Sequence, residues 1–217
     1  MPRKSAAPHP TPHVTIVILA RNEELNIERC VSSFLKQSYP RDRLEIIVVD
    51  DNSTDSTAAV VRKVMDDHPE LKLITAEELP AGWTGKNHAC WTGAGQARGK
   101  WYCFVDADVV ADPHLLETAM QFAESKHLGL LSINPFQELV SVSERCLLPG
   151  IFFGIAGTMN FKRINDPESP DAIANGQFML FSRSVYESIG GHGAVRNVIM
   201  EDIALARIVK RSDYPFC

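Results

Sequence analysis

Acidic side chains form three clusters in this sequence, and each cluster borders an apolar segment. The clusters are Asp50-Asp51, Asp106-Ala-Asp108 and Glu201-Asp202. Two carboxylates with one residue between them converge on a cation if the chain turns sharply there, and Mg²⁺ and Mn²⁺ prefer such oxygen ligands and bridge readily to phosphates. Asp106 and Asp108 are therefore a candidate metal site, although an ordinary polar loop at a strand end would contain the same residues.

Asp51 and Asp202 each allow two interpretations. Asp51 has the chemistry to accept a hydrogen bond from a uracil imide or from ribose hydroxyls, or to cap the helix that follows it. Ser53, Thr54 or Asp55 could provide that cap instead, which would leave Asp51 free. Asp202 begins an amphipathic segment, where an acid complements the helix dipole. The same position keeps a carboxylate ionised, so that it can act as a general base toward an acceptor hydroxyl.

A glycine-containing turn, Gly82-Trp-Thr-Gly85, precedes Lys86. It is not a Walker A loop, because the four-residue spacer and the Ser or Thr after the lysine are missing. Lys86 either reaches a diphosphate or is an exposed, solvated lysine. Trp83 either stacks on a sugar or packs against the protein, and the sequence leaves both alternatives open.

Segments with strand-like and helix-like patterns alternate along the chain. Short apolar runs rich in β-branched residues predict strands at 14–20, 44–50, 71–75, 101–105 and 128–133. Amphipathic or capped segments predict helices that begin at Asn22 and Glu23, follow Asp55 as far as Asp67, and cover 86–97, 115–125 and 203–211. The predicted inner face of the first helix comprises Leu25, Ile27, Val31, Phe34 and Leu35.

This alternation predicts an α/β fold with a mostly parallel central sheet flanked by helices. Ligands bind at the carboxyl ends of the strands in such sheets. Asp51 and Asp106 each follow a predicted strand, so both should face one crevice.

The segment 146–161 is the most apolar part of the chain. It is shorter than the roughly 20 residues that span a bilayer, and it contains one proline and three glycines. We therefore predict that it is buried in the protein, with a position at a membrane interface as the alternative.

Composition narrows the range of functions. A chain of 217 residues is long enough for one domain with a substantial core. Its net charge of -5 argues against a nucleic-acid partner. The five cysteines are irregularly spaced, so neither a disulfide framework nor a zinc site is indicated, and a cytoplasmic location is the default. Residues 1–13 are proline-rich and basic, which predicts a disordered tail rather than a signal peptide.

Several segments together resemble the family 2 glycosyltransferases in order and approximate spacing, over about residues 14–209. The matching segments are 17–24, 48–55, 82–89, 104–109 and Glu201-Asp202. The resemblance is strongest to the bacterial branch with hopanoid-associated and carotenoid-type glycosyltransferases. Segments 174–181 and 189–192 support that branch more weakly.

The resemblance implies an A-type, Rossmann-like glycosyltransferase fold, a nucleotide-diphosphate sugar donor, which we expect to be a UDP-sugar, and inversion at the anomeric carbon. It also implies a divalent metal, Mn²⁺ or Mg²⁺, and an acceptor of unknown identity, for which an isoprenoid lipid at the inner face of the cell membrane is the expectation. The implied roles are base, ribose and phosphate binding by Ala20, Arg21, Glu23, Asp51, Lys86 and Asp106, metal ligation by Asp108, and general base catalysis by Asp202.

The sequence also departs from the family pattern. The Gln-x-x-Arg-Trp-type segment and the membrane helices that often follow are absent. We therefore expect residues 14–217 to be a glycosyltransferase catalytic domain that is incomplete at its carboxyl end. A nucleotide-sugar-binding module without turnover is the alternative. A nucleotidyltransferase or a dehydrogenase fits less well, because no glycine-rich signature follows the first predicted strand.

Overall fold

The computed structural model describes residues 11–139, 141–158, 160–164, 169 and 171–217, which contain a six-stranded sheet with helices on both faces. The strands are β1 (Val14–Ala20), β2 (Leu44–Asp50), β3 (Leu71–Thr75), β4 (Trp101–Asp106), β5 (Leu130–Ser132) and β6 (Phe178–Ser182). The helices are α1 (Ile27–Leu35), α2 (Thr57–Asp67), α3 (Gly85–Gln96), α4 (Leu115–Ser125), α5 (Val142–Thr158), α6 (Phe161–Ile164), α7 (Arg183–Ser188) and α8 (Glu201–Arg211). Short 3₁₀ turns cover Arg41–Arg43 and Gly191–Val195.

The sheet has the strand order β3-β2-β1-β4-β6-β5. Strands β1 to β4 run parallel, whereas β6 is antiparallel to both of its neighbours, β4 and β5. The predicted α/β fold with a mostly parallel sheet is therefore confirmed. Strand β6 is not among the strands predicted from the sequence.

Two apolar layers enclose the sheet. Ile16 and Ile18 of β1 face one layer, which α1, α2 and α4 complete, and Val17 faces the other, which α3, α7 and α8 complete. Because both faces of β1 are covered, nearly every residue of this strand is apolar and buried. The continuous apolar run at 14–20 is thus explained by burial on both sides.

The strand order changes direction between β1 and β4, which creates a crevice at their carboxyl ends. Ala20 ends β1, Asp106 ends β4, and Asp51 directly follows β2. The fold consequently brings together at one edge of the sheet three residues that are distant in sequence.

The first helix differs from its prediction at its amino end. It begins at Ile27, and Leu25 is 90% exposed, so the assignment of Leu25 to the inner face is wrong. The backbone turns before the helix, where Asn26 and Ile27 donate N–H groups to the Glu23 carbonyl. Leu25 therefore lies outside the helical repeat that buries Ile27, Val31 and Phe34.

The apolar segment 146–161 also differs from its prediction. Most of it lies in α5, where Leu147, Ile151 and Phe153 are exposed to solvent by 64%, 54% and 82%. Burial within the protein is therefore wrong for these side chains, because hydrophobicity shows that a segment avoids water but not which surface covers it. Across the described ranges, no helix combines the length and hydropathy needed to cross a bilayer.

Residues 1–10 of the predicted tail lie outside the described residues. At the end of the tail, the Tyr39 hydroxyl donates a hydrogen bond to the Pro12 carbonyl at 2.6 Å, and the Lys100 N–H donates to the His13 carbonyl at 2.7 Å. The division into a tail and a catalytic domain stays a prediction.

Candidate active site

A cavity of about 390 Å³ opens at the carboxyl ends of β1, β2 and β4. Four acidic and two basic side chains are among the described residues that line it. The predicted site residues in its wall are Ala20, Arg21, Glu23, Asp51, Lys86, Asp106 and Asp108. The fold therefore gathers seven of the eight predicted site residues around one space.

Arg21 and Asp51 form an ion pair at one side of this cavity. Arg21 Nη1 donates to Asp51 Oδ2 at 3.1 Å, and the Asp51 side chain is 11% exposed. The backbone N–H of Asp51 also donates to the Ala20 carbonyl at 2.8 Å, which joins the ends of β1 and β2. Gly85 packs so closely here that an added Cβ would lie 2.7 Å from Asp51 Oδ2. The Asp51 carboxylate is thus held in place from two directions.

The structure argues against a helix-capping role for Asp51. Asp55 Oδ1 accepts hydrogen bonds from the backbone N–H and the hydroxyl of Thr57, the first residue of α2. Asp50 Oδ1 accepts from the Ser53 N–H at 3.1 Å. Neighbouring acids therefore satisfy the loop and the start of the helix, and Asp51 faces the cavity instead.

Glu23 lies in the loop after β1. Its Oε2 atom accepts a hydrogen bond from Asn26 Nδ2 at 2.9 Å, and its backbone N–H donates to Thr57 Oγ1 at 2.8 Å. These contacts fasten the loop to α2. Asn22, in the left-handed backbone region with φ of 57°, accepts from the Thr54 N–H at 2.8 Å and strengthens the same connection.

Asp106 and Asp108 differ in their surroundings. Burial raises the pKa of Asp106 above its usual range, and the nearby Lys86 ammonium partly offsets that effect. Asp108 is exposed, and its carboxylate accepts no hydrogen bond from any described residue. One carboxylate is therefore engaged by the protein, and the other faces the cavity with its oxygens available.

Lys86 lies in the first turn of α3 and is not a freely solvated lysine. Its Nζ atom lies 3.0 Å from Asp106 Oδ1 and 3.0 Å from Glu201 Oε1. Burial alone would lower the pKa of Lys86, but the charges of Asp106 and Glu201 outweigh it, so the pKa lies above its usual range. The ammonium remains protonated and balances two carboxylates.

Asp202, the eighth predicted residue, is not part of the cavity wall but lies beside it. Its Oδ2 atom accepts the Gly176 N–H at 2.9 Å, and its Oδ1 atom accepts the Ile203 N–H at 2.7 Å. An added Cβ on Gly176 would lie 2.9 Å from Lys86 Nζ and 3.5 Å from Asp202 Oδ2. Asp202 and Lys86 therefore flank the same small space. The helix-dipole interpretation also holds, since Asp202 is in the first turn of α8.

Glu201 and Gly176 are site residues to which the sequence analysis assigns no role. Glu201 has a side chain only 8% exposed, although an acid in a first turn is usually solvated. The sequence placed it in an acid pair but carried no signal that separates a buried carboxylate from an exposed one.

Trp83 packs on His88 and Trp91, with ring centroids 5.7 Å and 6.1 Å away, which favours its packing interpretation.

The profile of Glycosyl transferase family 2 matches residues 15–190. The chain belongs to this family. Its predicted family and its A-type glycosyltransferase fold are thereby confirmed. Mannosyltransferase PcManGT from Pyrobaculum calidifontis, solved in complex with GDP-Man and Mn²⁺, superposes with a TM-score of 0.71 at 27% identity, over 100% of this chain and 57% of that one.

Two glycosyltransferases with similar sequences and a second solved structure also resemble this family 2 chain. The 4,4'-diaponeurosporenoate glycosyltransferase of Staphylococcus haemolyticus (strain JCSC1435) is 28% identical over 94% of this chain and 53% of its own length. That of Staphylococcus aureus (strain USA300) is 30% identical over 93% and 52%. S. aureus TarS 1-349 in complex with UDP shares the fold, with a TM-score of 0.59 at 19% identity over 93% of this chain and 55% of that one.

The family 2 chain spans about half the length of the curated relatives it matches. Their names place it near the carotenoid branch that the sequence motifs indicated.

In none of the described ranges do three or more His, Cys, Asp or Glu side chains form a metal site by themselves. Two carboxylates beside an open cavity nevertheless suit Mg²⁺ or Mn²⁺, which complete their coordination with water and substrate phosphates. The donor set at Asp106 and Asp108 therefore fits a divalent cation.

Proposed function

We propose that this chain transfers a sugar from a nucleotide-diphosphate sugar, a UDP-sugar, to an acceptor hydroxyl with inversion at the anomeric carbon. One observation carries the proposal: Asp51, Asp106 and Asp108 line a single cavity at the switch point of the sheet, in a chain of family 2. This is where α/β sheets bind nucleotides. PcManGT and TarS, named with GDP-Man and UDP, support a nucleotide donor.

Donor recognition is assigned to the wall formed by the β1 and β2 ends. Asp51 accepts hydrogen bonds from the base or ribose, while Arg21, its partner at 3.1 Å, orients the carboxylate. The Ala20 and Glu23 region supplies the adjoining wall. Asp106 contacts the nucleotide, and Lys86 supplies positive charge toward the diphosphate.

A divalent cation, Mn²⁺ or Mg²⁺, would be held by Asp108 and would offset the negative charge that the nucleoside diphosphate gains as the glycosidic bond breaks. Asp108 suits that role because it is exposed to the cavity and accepts no hydrogen bond from the described residues. The cavity wall has four acidic and two basic side chains, so without a cation it would repel a diphosphate.

Asp202 is assigned the role of general base. It lies next to the cavity at the amino end of α8, where the helix dipole favours a negative charge. It would take the proton from the acceptor hydroxyl as the oxygen attacks the anomeric carbon and the nucleoside diphosphate leaves. One base and one displacement on opposite faces of the sugar give inversion.

The acceptor is assigned to the isoprenoid lipids, and the chain to the inner face of the cell membrane. The diaponeurosporenoate glycosyltransferases are named for an acceptor of that kind, which supports this part of the proposal. The exposed apolar side chains of α5, Leu147, Ile151 and Phe153, supply a surface suited to such an acceptor or to its membrane.

A donor screen tests the proposed function. The purified chain is incubated with Mn²⁺ or Mg²⁺, with UDP- or GDP-hexoses, and with isoprenoid acceptors bearing a hydroxyl or a carboxylate. We expect a glycosylated acceptor by mass spectrometry, UDP as the released nucleotide, and inverted anomeric configuration by NMR. Metal-dependent nucleotide binding without hydrolysis or transfer would favour the binding module instead, and the absence of nucleotide binding would contradict both.

A further inference from the structure

Glu201 is the buried member of a charge cluster that also contains Lys86 and Asp106 of the donor cavity. Its side chain is 8% exposed, and its Oε1 atom lies 3.0 Å from Lys86 Nζ, which also lies 3.0 Å from Asp106 Oδ1. A buried carboxylate needs a partner because its desolvation is costly. Lys86 therefore joins the end of β4 to the start of α8 through two ion pairs.

The backbone around this cluster is fixed independently of the charges. The Thr84 N–H donates to the Arg196 carbonyl at 2.8 Å, and Asn87 Nδ2 donates to the carbonyls of Val195 and Val198 at 2.7 Å and 2.9 Å. These bonds tie the start of α3 to the segment that leads into α8. Lys86 and Glu201 consequently face each other across a short gap.

Gly176 fills the remaining side of the cluster. A Cβ at this position would lie 2.9 Å from Lys86 Nζ, 3.2 Å from Glu201 Oε1 and 3.5 Å from Asp202 Oδ2. Only glycine at position 176 therefore leaves the Lys86 ammonium in its observed place. The Gly176 N–H is also the donor to Asp202 Oδ2 at 2.9 Å, so the backbone that holds Asp202 packs directly under Lys86.

We propose that Glu201 is a positioning residue: it fixes the Lys86 ammonium over Gly176 and thereby holds the Asp202 carboxylate beside the donor cavity. This inference rests on the proposed function. Without the Glu201 charge, Lys86 keeps only Asp106 as a partner and moves away from Gly176. The Gly176 backbone that binds Asp202 Oδ2 then loses its packing against the ammonium, and Asp202 is held less firmly. An effect of charge alone would be different: it would make Glu201→Gln bind the donor more tightly, because removing an acid near an anion site favours anion binding.

Amine labelling of Lys86 tests the first half of the inference without any need for activity. Wild type and Glu201→Gln are treated with an acylating reagent, and the peptides are quantified by mass spectrometry. We expect Lys86 to react about tenfold faster in the variant, because its amine loses one of the two carboxylates that hold and shield it. Lys72, which pairs with the buried Glu45 elsewhere, serves as the internal standard. An unchanged Lys86 rate relative to Lys72 overturns the inference.

Kinetics with a UDP-sugar test the second half. We expect Glu201→Gln to lower kcat about tenfold while the donor KM stays within about twofold, because the defect concerns the orientation of the base. Glu201→Asp should recover part of the loss, since it retains the charge. Glu45→Gln is the matched control, and it should not change the kcat. Glu45 is a buried glutamate that pairs with Lys72, and it lies at the end of β2 away from the cavity.

Gly176→Ala provides a second route if Glu201→Gln folds poorly. It displaces Lys86 sterically and changes no charge, and it should give the same loss of kcat. An unchanged kcat in either folded variant, or an equal rise in KM, overturns the inference. If wild type shows no transfer, the proposed function fails by itself, whereas the labelling result still decides whether Glu201 holds Lys86.

Discussion

Arg21 Nη1 lies 3.1 Å from Asp51 Oδ2, so the loop after β1 and the loop after β2 meet in one ion pair at the cavity wall. Asp51 is nearly buried, whereas the Arg21 side chain is 62% exposed. The pair therefore directs a carboxylate inward and leaves its partner partly in solvent, which is the arrangement expected of a polar group that receives a ligand from the cavity side.

Asp51→Asn should weaken UDP binding about tenfold, because a charged acceptor is replaced by a neutral amide at a desolvated position. Isothermal titration with UDP and Mn²⁺ measures the effect. Asp42→Asn is the control, since Asp42 is an exposed aspartate that pairs with Arg43 at the surface. Equal affinities of the two variants would remove Asp51 from the donor site.

Gly85→Ala should reduce UDP affinity by a steric route. The new Cβ would lie 2.7 Å from Asp51 Oδ2, so the carboxylate must move away from Arg21. Gly95→Ala, in the same helix, meets no atom within 4 Å and should raise the free energy of unfolding by about 1 kcal/mol without changing affinity. Thermal melts and UDP titrations of both variants separate the two effects. Unaltered binding by Gly85→Ala would mean that the ion pair tolerates displacement.

Asp108→Asn should abolish most of the dependence of nucleotide binding on metal. The Asp108 carboxylate faces the cavity without a hydrogen bond from the described residues, so its charge is available to a cation. UDP is titrated in Mn²⁺ and in EDTA, and the ratio of the two affinities should fall toward one. The exposed Asp66 in α2 offers a matched Asp66→Asn control. A ratio equal to that of wild type would contradict the assignment.

Asp202→Asn should lower transfer about a hundredfold or more and spare donor affinity, because a general base acts on the acceptor. The amide retains a hydrogen-bond acceptor for the Gly176 N–H, so the local backbone should persist. Steady-state kinetics and UDP titration are the measurements. A collapse of donor affinity with normal transfer per bound donor would show that the role is wrong.

His192 should make the protein less stable in mild acid. Burial, with a smaller contribution from Lys86, lowers the pKa of His192 from 6.5 to about 3. The Tyr186 hydroxyl accepts the His192 backbone N–H at 3.2 Å and lies 2.8 Å from Nδ1, so its proton is directed to the neutral ring. Between pH 6.5 and about 3 only the unfolded chain binds this proton, and the free energy of unfolding therefore falls as the pH falls.

Urea unfolding at several pH values between 4.5 and 6.5 measures this slope. The contribution of His192 should approach about 1.4 kcal/mol per pH unit toward the acidic end of the range, and His192→Gln should lack it. His114→Gln is the control, because the His114 side chain is 73% exposed. A slope that survives in His192→Gln would assign the acid sensitivity to other groups.

The sequence by itself determined the layer architecture and which of the candidate site residues would meet at one edge of the sheet. Apolar runs such as 14–20 are buried on both sides of the sheet, and a residue that directly follows a parallel strand must lie at the shared carboxyl edge. For that reason the sequence alone places Asp51 and Asp106 in one crevice. The helix at 115–125 and the strand at 71–75 also have the predicted bounds, since each is marked by local pattern.

Tertiary structure decided everything that depends on contacts between distant segments. Leu25 precedes the helix, where the backbone turns onto the Glu23 carbonyl, and α5 is apolar yet exposed at Leu147 and Phe153. Glu201 reads as an ordinary acid at a helix start, and only the approach of α3 buries it against Lys86. Sequence patterns report local preference for water or for a backbone shape, whereas burial and ion pairing are set by partners that only the folded chain brings into contact.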